Sequence, residues 1–299
     1  MERLNIAITG ASGFIGSNIF RHFNKHHNVY ALGHSAKNWR LDGIKPIYLD
    51  ITNRNKCKSV IGKLRPDILI HCAAYGINYN ETDQKRIIET NLIGTLNVLD
   101  ACREVSLFVN TGSCFEYGIQ NKSISEDMPI APTSTYAMSK ALSTIVSQSY
   151  KDVKCVTLRL FTAYGYYEAK QRLVPYLILS ALSGATAKLS NRNNVRDFIF
   201  IEDVVNAYAT VIKKHNKIRN HSIFNVGSGK QVSVADVIKI VGSNVEWIQS
   251  ERSKESIQMW QADIRKIKRE LNWSPRYTLG EGIEKTKKWM SENMAFYED

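Results

Sequence analysis

Short apolar, β-branched runs alternate with longer amphipathic stretches through the first half of the chain. The runs predict strands at Leu4–Thr9, Asn28–Leu32, Pro46–Leu49, Asp67–His71, Leu107–Thr111 and Val153–Leu160. Between most of them, apolar residues three and four apart predict helices at Phe14–Lys25, Arg54–Leu64, Gln84–Val105 and Tyr136–Tyr150. Strands alternating with helices imply an α/β fold with a doubly wound parallel sheet, covered on both faces. After Thr162 the rhythm is irregular, with helices predicted at Leu173–Ser183, Glu202–Lys214, Ser233–Val241, Asp263–Leu271 and Leu279–Met290. The pattern divides the chain into a first domain over 1–161 and a smaller mixed lobe over 162–299, some segments of which return to the first domain. Open α/β sheets bind ligands beyond the carboxyl ends of their strands, so the cleft between the two parts is the expected site.

Composition narrows the class. With 299 residues, 43% hydrophobic and 23% charged, the chain is large enough to bury a core without disulfides or metals. Its longest oily stretch, Leu173 to Leu182, is interrupted by Pro175, Tyr176 and Ser180 and is too short to span a bilayer. The first residues run almost directly into a strand and carry no signal-peptide pattern, so a cytoplasmic location is expected. Five scattered cysteines without a Cys-x-x-Cys pair read as reduced thiols, with no metal site. The net charge of +12 is spread along the chain, with only short clusters such as Lys213-Lys214. Solvated helix faces, genomic base composition or attraction of polyanionic small molecules explain it better than a nucleic-acid partner; neither nucleic acid nor membrane is expected.

The first strand runs into Gly10-Ala11-Ser12-Gly13-Phe14-Ile15-Gly16, which opens the first helix. Gly10 permits a tight turn, Gly13 lets backbone N–H groups approach a diphosphate, and Gly16 lets the helix pack near the strand. Phe14 and Ile15 stand in the donor-rich first turn. In this strand–turn–helix context the glycines read as a Rossmann-type dinucleotide site. The second strand ends in Gly33-His34-Ser35, with Lys37 and Arg40 beyond and no carboxylate before Asp42. A carboxylate there would bind the ribose hydroxyls of NAD, whereas His34, Ser35, Lys37 and Arg40 suit a 2′-phosphate; NADP(H) is expected over NAD(H). Asp50, next to Ile51 at the end of the third strand, is an adenine contact or a helix cap.

Tyr136 and Lys140 form a Tyr-x-x-x-Lys pair at the start of a predicted helix, so both side chains share a face. Tyr150–Lys154 and Tyr166–Lys170 have the same spacing but fall at a helix end and in a loop. A tyrosine ordinarily titrates near 10; an adjacent ammonium lowers that value and makes it an acid–base group for a carbonyl. Lys140 can also hold a nicotinamide ribose. Ser113, at the end of the fifth strand, is a cap or a donor to the same carbonyl oxygen.

Taken together, these residues resemble the extended short-chain dehydrogenases/reductases, in the group of nucleotide-sugar epimerases, dehydratases and ketoreductases. The resemblance runs from Leu4 to Trp289. It includes His71-Cys72-Ala73-Ala74, Asn91 within Thr-Asn-Leu-Ile-Gly-Thr, Arg159 to Gly165, Arg196-Asp197-Phe198-Ile199 and Leu271-Asn272-Trp273-Ser274-Pro275. It implies that Ser113, Tyr136 and Lys140 are the catalytic triad. Ala73, Ala74, Asn91 and Phe161 fall at cofactor positions. Thr162, Leu173 and Arg196 fall at substrate positions, with Arg196, Arg172 and Arg252 near the sugar diphosphate. It also implies a homodimer built on the helices Gln84–Val105 and Tyr136–Tyr150, whose Leu92, Leu96, Leu99, Leu142 and Ile145 fit that interface or the sheet.

Departures refine the expectation. Gly33-His34-Ser35 lacks the acidic residue of NAD-dependent epimerases. Cys114 and Phe115 stand where 4,6-dehydratases carry acids, and alternation in an extended segment turns Glu116 away. Thr162 stands where epimerases commonly have Asn. Tyr75-Gly76, Phe161 to Gly165 and Arg172 to Pro175 are similar to bacterial reductases of nucleotide-linked 4-keto-6-deoxyhexoses, of the CDP-abequose and CDP-paratose synthase type. The expected activity is NADPH-dependent reduction of the 4-keto group of a nucleotide-diphosphate deoxysugar, for bacterial surface polysaccharide precursors. The alternatives are an NAD-dependent nucleotide-sugar 4-epimerase using the same residues, and a non-catalytic nucleotide-binding or redox-sensing protein.

Overall fold

A computed structural model describes residues 3–34, 39–78, 80–191, 194–248 and 260–298. Its strands are β1 (Asn5–Thr9), β2 (Asn28–Gly33), β3 (Ile47–Tyr48), β4 (Ile68–His71), β5 (Leu107–Ser113), β6 (Cys155–Leu160), β7 (Thr162–Tyr164), β8 (Ala187–Leu189), β9 (Val195–Arg196), β10 (Phe198–Phe200), β11 (Ser222–Val226), β12 (Val232–Ser233) and β13 (Val245–Trp247). The helices are α1 (Phe14–Phe23), α2 (Arg54–Leu64), α3 (Gln84–Ile88), α4 (Gly94–Ala101), α5 (Thr135–Ser149), α6 (Leu173–Ser183), α7 (Ile201–Lys214), α8 (Val234–Val241), α9 (Arg265–Leu271) and α10 (Leu279–Glu292).

Seven strands form one parallel sheet in the order β11-β6-β5-β4-β1-β2-β3. Alternation along each strand assigns its faces. Ile6, Ile8, Ile68, Ile70, Leu107, Val109, Val156 and Leu158 enter one core, with Ile19 of α1 and Val204 and Val211 of α7. Ala7, Leu69, Phe108 and Cys155 enter the other, with Ile61 of α2 and Val98 and Leu99 of α4. Each fully buried Leu or Ile contributes about 2 kcal/mol to stability. The strand order reverses between β1 and β4, where Thr9 pairs with His71. That reversal opens the crevice in which such sheets bind ligands.

Two differences from the sequence pattern matter. The helix expected over Gln84–Val105 is α3, a π-helical turn at Glu89–Ile93, and α4, ending at Ala101. Just beyond the π-turn, the Thr95 hydroxyl donates back to the Asn91 carbonyl at 2.6 Å. Strand β11 lies outside the strands that the pattern predicts, because its run is short and Asn225 interrupts it. The Asn225 side chain is buried as a hub, accepting from the Tyr117 hydroxyl and donating to the Ile124 carbonyl. The remaining strands make two-stranded pairs, β7 with β10, β9 with β12 and β8 with β13. Among the described residues no helix is long and apolar enough to cross a membrane.

Candidate active site

The turn after β1 is built by close contact. Gly10 adopts φ +66°, and a Cβ there would stand 2.6 Å from the Ala73 backbone beyond β4. A Cβ on Gly16 would lie 2.9 Å from Ala11 Cα and nearer still to the Gly10 carbonyl. Gly13 precedes α1 and supplies no side-chain cap to the N–H groups of the first turn, where Phe14 and Ile15 lie half-buried. Those donors and the positive helix end fit the diphosphate of a nicotinamide dinucleotide. Across the crevice, Asn91 grips Tyr75, accepting from its N–H and donating to its carbonyl, both at 2.8 Å; it also donates to Ser139 Oγ. The Asn91 amide therefore shapes the Ala73–Tyr75 wall rather than facing the crevice. Ala73 is half-buried and Ala74 exposed.

On the adenosine side, His34 is exposed beyond β2. Ser35 and Lys37 lie outside the described residues. Arg40 Nε donates to the Tyr167 carbonyl at 2.7 Å, and its guanidinium lies 4.3 Å over the Trp39 ring. Asp50 accepts from the N–H and hydroxyl of Thr52 at 2.9 and 2.8 Å and closes a turn, while the helix cap of α2 is Asn53. Ile51 is buried, packed where a Cβ on Gly94 would meet it at 2.6 Å.

Ser134 caps α5, accepting from the Ala137 N–H at 3.2 Å. Buried Ala137, Ala141, Ser143 and Thr144 let the helix lie close to the sheet. This presents Tyr136 and Lys140, one turn apart, to the carboxyl end of β5. There Ser113 is buried; its hydroxyl accepts from the Phe115 N–H at 3.3 Å and lies near enough to the Tyr136 phenol to act on its titration. Burial pushes the Tyr136 phenol above its ordinary value, with Cys114 and Glu116 adding, while Ser113 and Arg172 pull it down. The Lys140 ammonium lies toward Glu116 and Cys72, and burial lowers its own pKa. Tyr136 is thus protonated at neutral pH, the state of a proton donor.

The segment after Ser113 is not extended: Cys114–Tyr117 forms a 3-10 turn. It turns Glu116 inward, where Oε1 accepts from the Ser113 N–H and Oε2 pairs with Arg159 Nε, each at 2.8 Å. Glu116 is removed from the cleft by this pairing, not by strand alternation. Cys114 is buried, and burial pushes its thiol up to about 12, so it is neutral. The Phe115 ring meets Tyr136 at 6.3 Å and Trp260 at 5.2 Å, edge to face. Arg196 lies 5.6 Å over Trp260, donates to the Val195 carbonyl and the Asn194 side chain, and acts on Cys114.

Trp260 carries no sequence signal, because it belongs to no motif and follows a polar stretch. Asp197 fixes its segment, accepting from Ser228 N–H, Gly229 N–H and Ala262 N–H at 2.6, 3.0 and 2.9 Å. Phe161 packs behind Cys114 and Tyr117. Thr162 and Leu173 are half-buried at the starts of β7 and α6, and the Arg172 charge reaches Tyr136. Tyr75 lies beneath the Arg86 guanidinium at 4.4 Å. Arg252 lies outside the described residues.

The arrangement suits carbonyl chemistry: a phenol to move a proton, a hydroxyl to hold the oxygen and a buried ammonium beside them. When bound, a nicotinamide dinucleotide supplies the hydride chemistry. Comparison with known proteins agrees. The chain is 26% identical to the dTDP-glucose 4,6-dehydratase of Neisseria meningitidis over 98% of its length and 95% of that protein. It is also 26% identical to the UDP-glucuronate 4-epimerase of Thermodesulfobacterium geofontis, over 96% of both. The UDP-glucose 4-epimerase of Thermus thermophilus, solved with NAD, superposes with a TM-score of 0.84 at 25% identity, covering 96% of this chain and 99% of that one. These relatives are dehydratases and epimerases rather than ketoreductases. Residues 6–227 match the model of the NAD dependent epimerase/dehydratase family. The chain therefore belongs to that family, the enzymes of extended short-chain dehydrogenase/reductase type that act on nucleotide-sugars.

Proposed function

We propose that this enzyme reduces the 4-keto group of a nucleotide-diphosphate deoxysugar with NADPH. The carrying observation is the wall beside Tyr136. It consists of a neutral thiol, Cys114, and the rings of Phe115 and Trp260, while Glu116 is locked onto Arg159. Dehydration needs further acid–base groups to move protons at neighbouring carbons; among the described residues this wall offers none. A protonated Tyr136 suits reduction: as C4 gains hydride, the phenol gives its proton to the oxygen and Ser113 holds that oxygen in place. Arg172 and Arg196 supply positive charge for the diphosphate. The absence of a carboxylate at Gly33-His34-Ser35 supports NADPH.

The second reading is an NAD-linked 4-epimerase. It is favoured by the names of the Thermodesulfobacterium and Thermus relatives and by the NAD in the latter structure.

One experiment separates them. Nucleotide released from the denatured, purified protein is identified, and NADPH and NADH oxidation is followed with CDP- and dTDP-linked 4-keto-6-deoxyhexoses. The expected outcome is an empty protein that oxidises NADPH in step with sugar reduction, and a Tyr136→Phe variant slowed about 10²–10⁴-fold with unchanged cofactor affinity. Retained NAD with interconversion of 4-epimers would establish the second reading instead.

A further inference from the structure

Glu168 lies in the loop between β7 and α6 and takes no part in the chemistry above. It is 5% exposed. Its Oε2 accepts from the Gly165 N–H at 3.4 Å, and its Oε1 stands 3.6 Å from Arg172 Nε. The loop is bent to allow this, with Gly165 at φ +139° and Tyr167 at φ +65°. Arg40 acts on the same carboxylate from the segment after β2. The neighbouring Tyr167 joins a cluster of rings: Trp39 meets Tyr167 at 5.9 Å and Tyr297 at 5.5 Å, and Tyr167 meets Trp289 at 4.6 Å.

A carboxylate this deep is costly unless paired and hydrogen-bonded. Here the pairing faces outward through Arg172, which is 40% exposed and whose charge reaches the Tyr136 phenol. An unrestrained arginine samples many rotamers, and holding it in one lowers the entropy lost on binding an anion.

We propose that Glu168 is a positioning residue that holds Arg172 toward the diphosphate of the nucleotide-sugar. This rests on the reading of Arg172 as a diphosphate ligand. The charged and titratable groups facing Glu168 are Arg172 on its own loop, Arg40 after β2, Tyr164 on β7 and Tyr297 near the carboxyl terminus. Burial pushes the Glu168 carboxyl up to about 7, with Arg172 and then the Gly165 N–H pulling against it. Protonation below pH 7 removes the charge that restrains Arg172, so diphosphate affinity falls with pH in that range.

The test titrates UDP-, CDP- and dTDP-glucose, whose diphosphate diesters carry no group that titrates between pH 6 and 8, into the full-length protein by calorimetry at pH 6, 7 and 8. The variants are Glu168→Gln, Arg172→Met and the double variant, each checked by thermal melting. The expected result is about tenfold weaker binding of the tightest nucleotide by each single variant at pH 8, and a double variant no weaker than Arg172→Met. Wild-type affinity drops toward pH 6, whereas Glu168→Gln stays flat. In turnover, KM for the sugar rises about tenfold in Glu168→Gln while kcat falls less than threefold. Wild-type affinity in Glu168→Gln, with Arg172→Met weakened, overturns the inference alone. Wild-type affinity in Arg172→Met overturns the reading of Arg172 itself. If Glu168→Gln does not fold, the wild-type pH series decides, and equal affinity at pH 6 and 8 overturns the inference.

Discussion

His71 joins the catalytic end of the sheet to its interior. Its Nδ1 is 2.7 Å from Thr9 Oγ1 and its Nε2 is 3.0 Å from Thr95 Oγ1. From Thr95 the bonds continue to Ser143 and on to Asn110. Burial, with the Lys140 charge adding, pulls the ring's pKa down to about 3. The unfolded chain would protonate this ring near 6.5. A depressed folded value means that the contribution is fully present above pH 6.5 and is lost as pH falls toward 3, by up to about 1.4 kcal/mol per pH unit. His71→Asn should cost about 1–3 kcal/mol at pH 7.5 through broken buried bonds, and the gap from wild type should narrow by pH 5. Urea unfolding across that range measures it; a constant gap would show that the ring does not take up a proton on unfolding.

Among the elements, α1 is held tightly at its start. Gly16→Ala would drive a methyl into the Gly10 carbonyl and Ala11. The expected cost is about 1–3 kcal/mol, seen as a lower melting temperature, together with weaker dinucleotide binding because the first-turn donors shift. Unchanged melting and binding would mean that the turn relaxes freely. The same periodicities that reveal α1 and β1 explain which elements the sequence discloses. Period two and period 3.6 survive wherever one face is buried, so β1, β4, β5, α2 and α6 fall close to their predicted bounds. The π-turn at Asn91 is invisible to that signal, because one added residue leaves the apolar spacing on each side intact. The inward turn of Glu116 and the seat of Trp260 depend on partners far along the chain, Arg159 and Asp197 with Ala262. The Tyr136–Lys140 pairing is legible because both residues share one helix. The direction of the phenol's shift is not, because it is set by burial among residues from several elements.

At the scale of the whole molecule, α5 leaves a stripe uncovered. Met138, Leu142 and Ile145 are 44%, 39% and 47% exposed, and Ile93 nearby is 43% exposed. Leu99 instead faces the sheet fully buried, and Leu92 and Leu96 are half-buried, so the five apolar residues weighed for an interface divide between two roles. We propose that the stripe pairs with its copy in a homodimer. Sedimentation should give a dimer for wild type and a monomer for the Leu142→Glu, Ile145→Glu double variant, with the fold retained; a wild-type monomer would refute the pairing.

Strand order also governs how the protein is made. β6 gains its outer neighbour only when β11 emerges, after most of the second half has been synthesised. Until then β6, buried along its whole length in the finished sheet, is the sheet's edge, with its outer backbone donors and acceptors unpaired. Nascent chains paused in the lobe are therefore the species most exposed to mispairing with one another, and the point in synthesis where chaperone protection matters most.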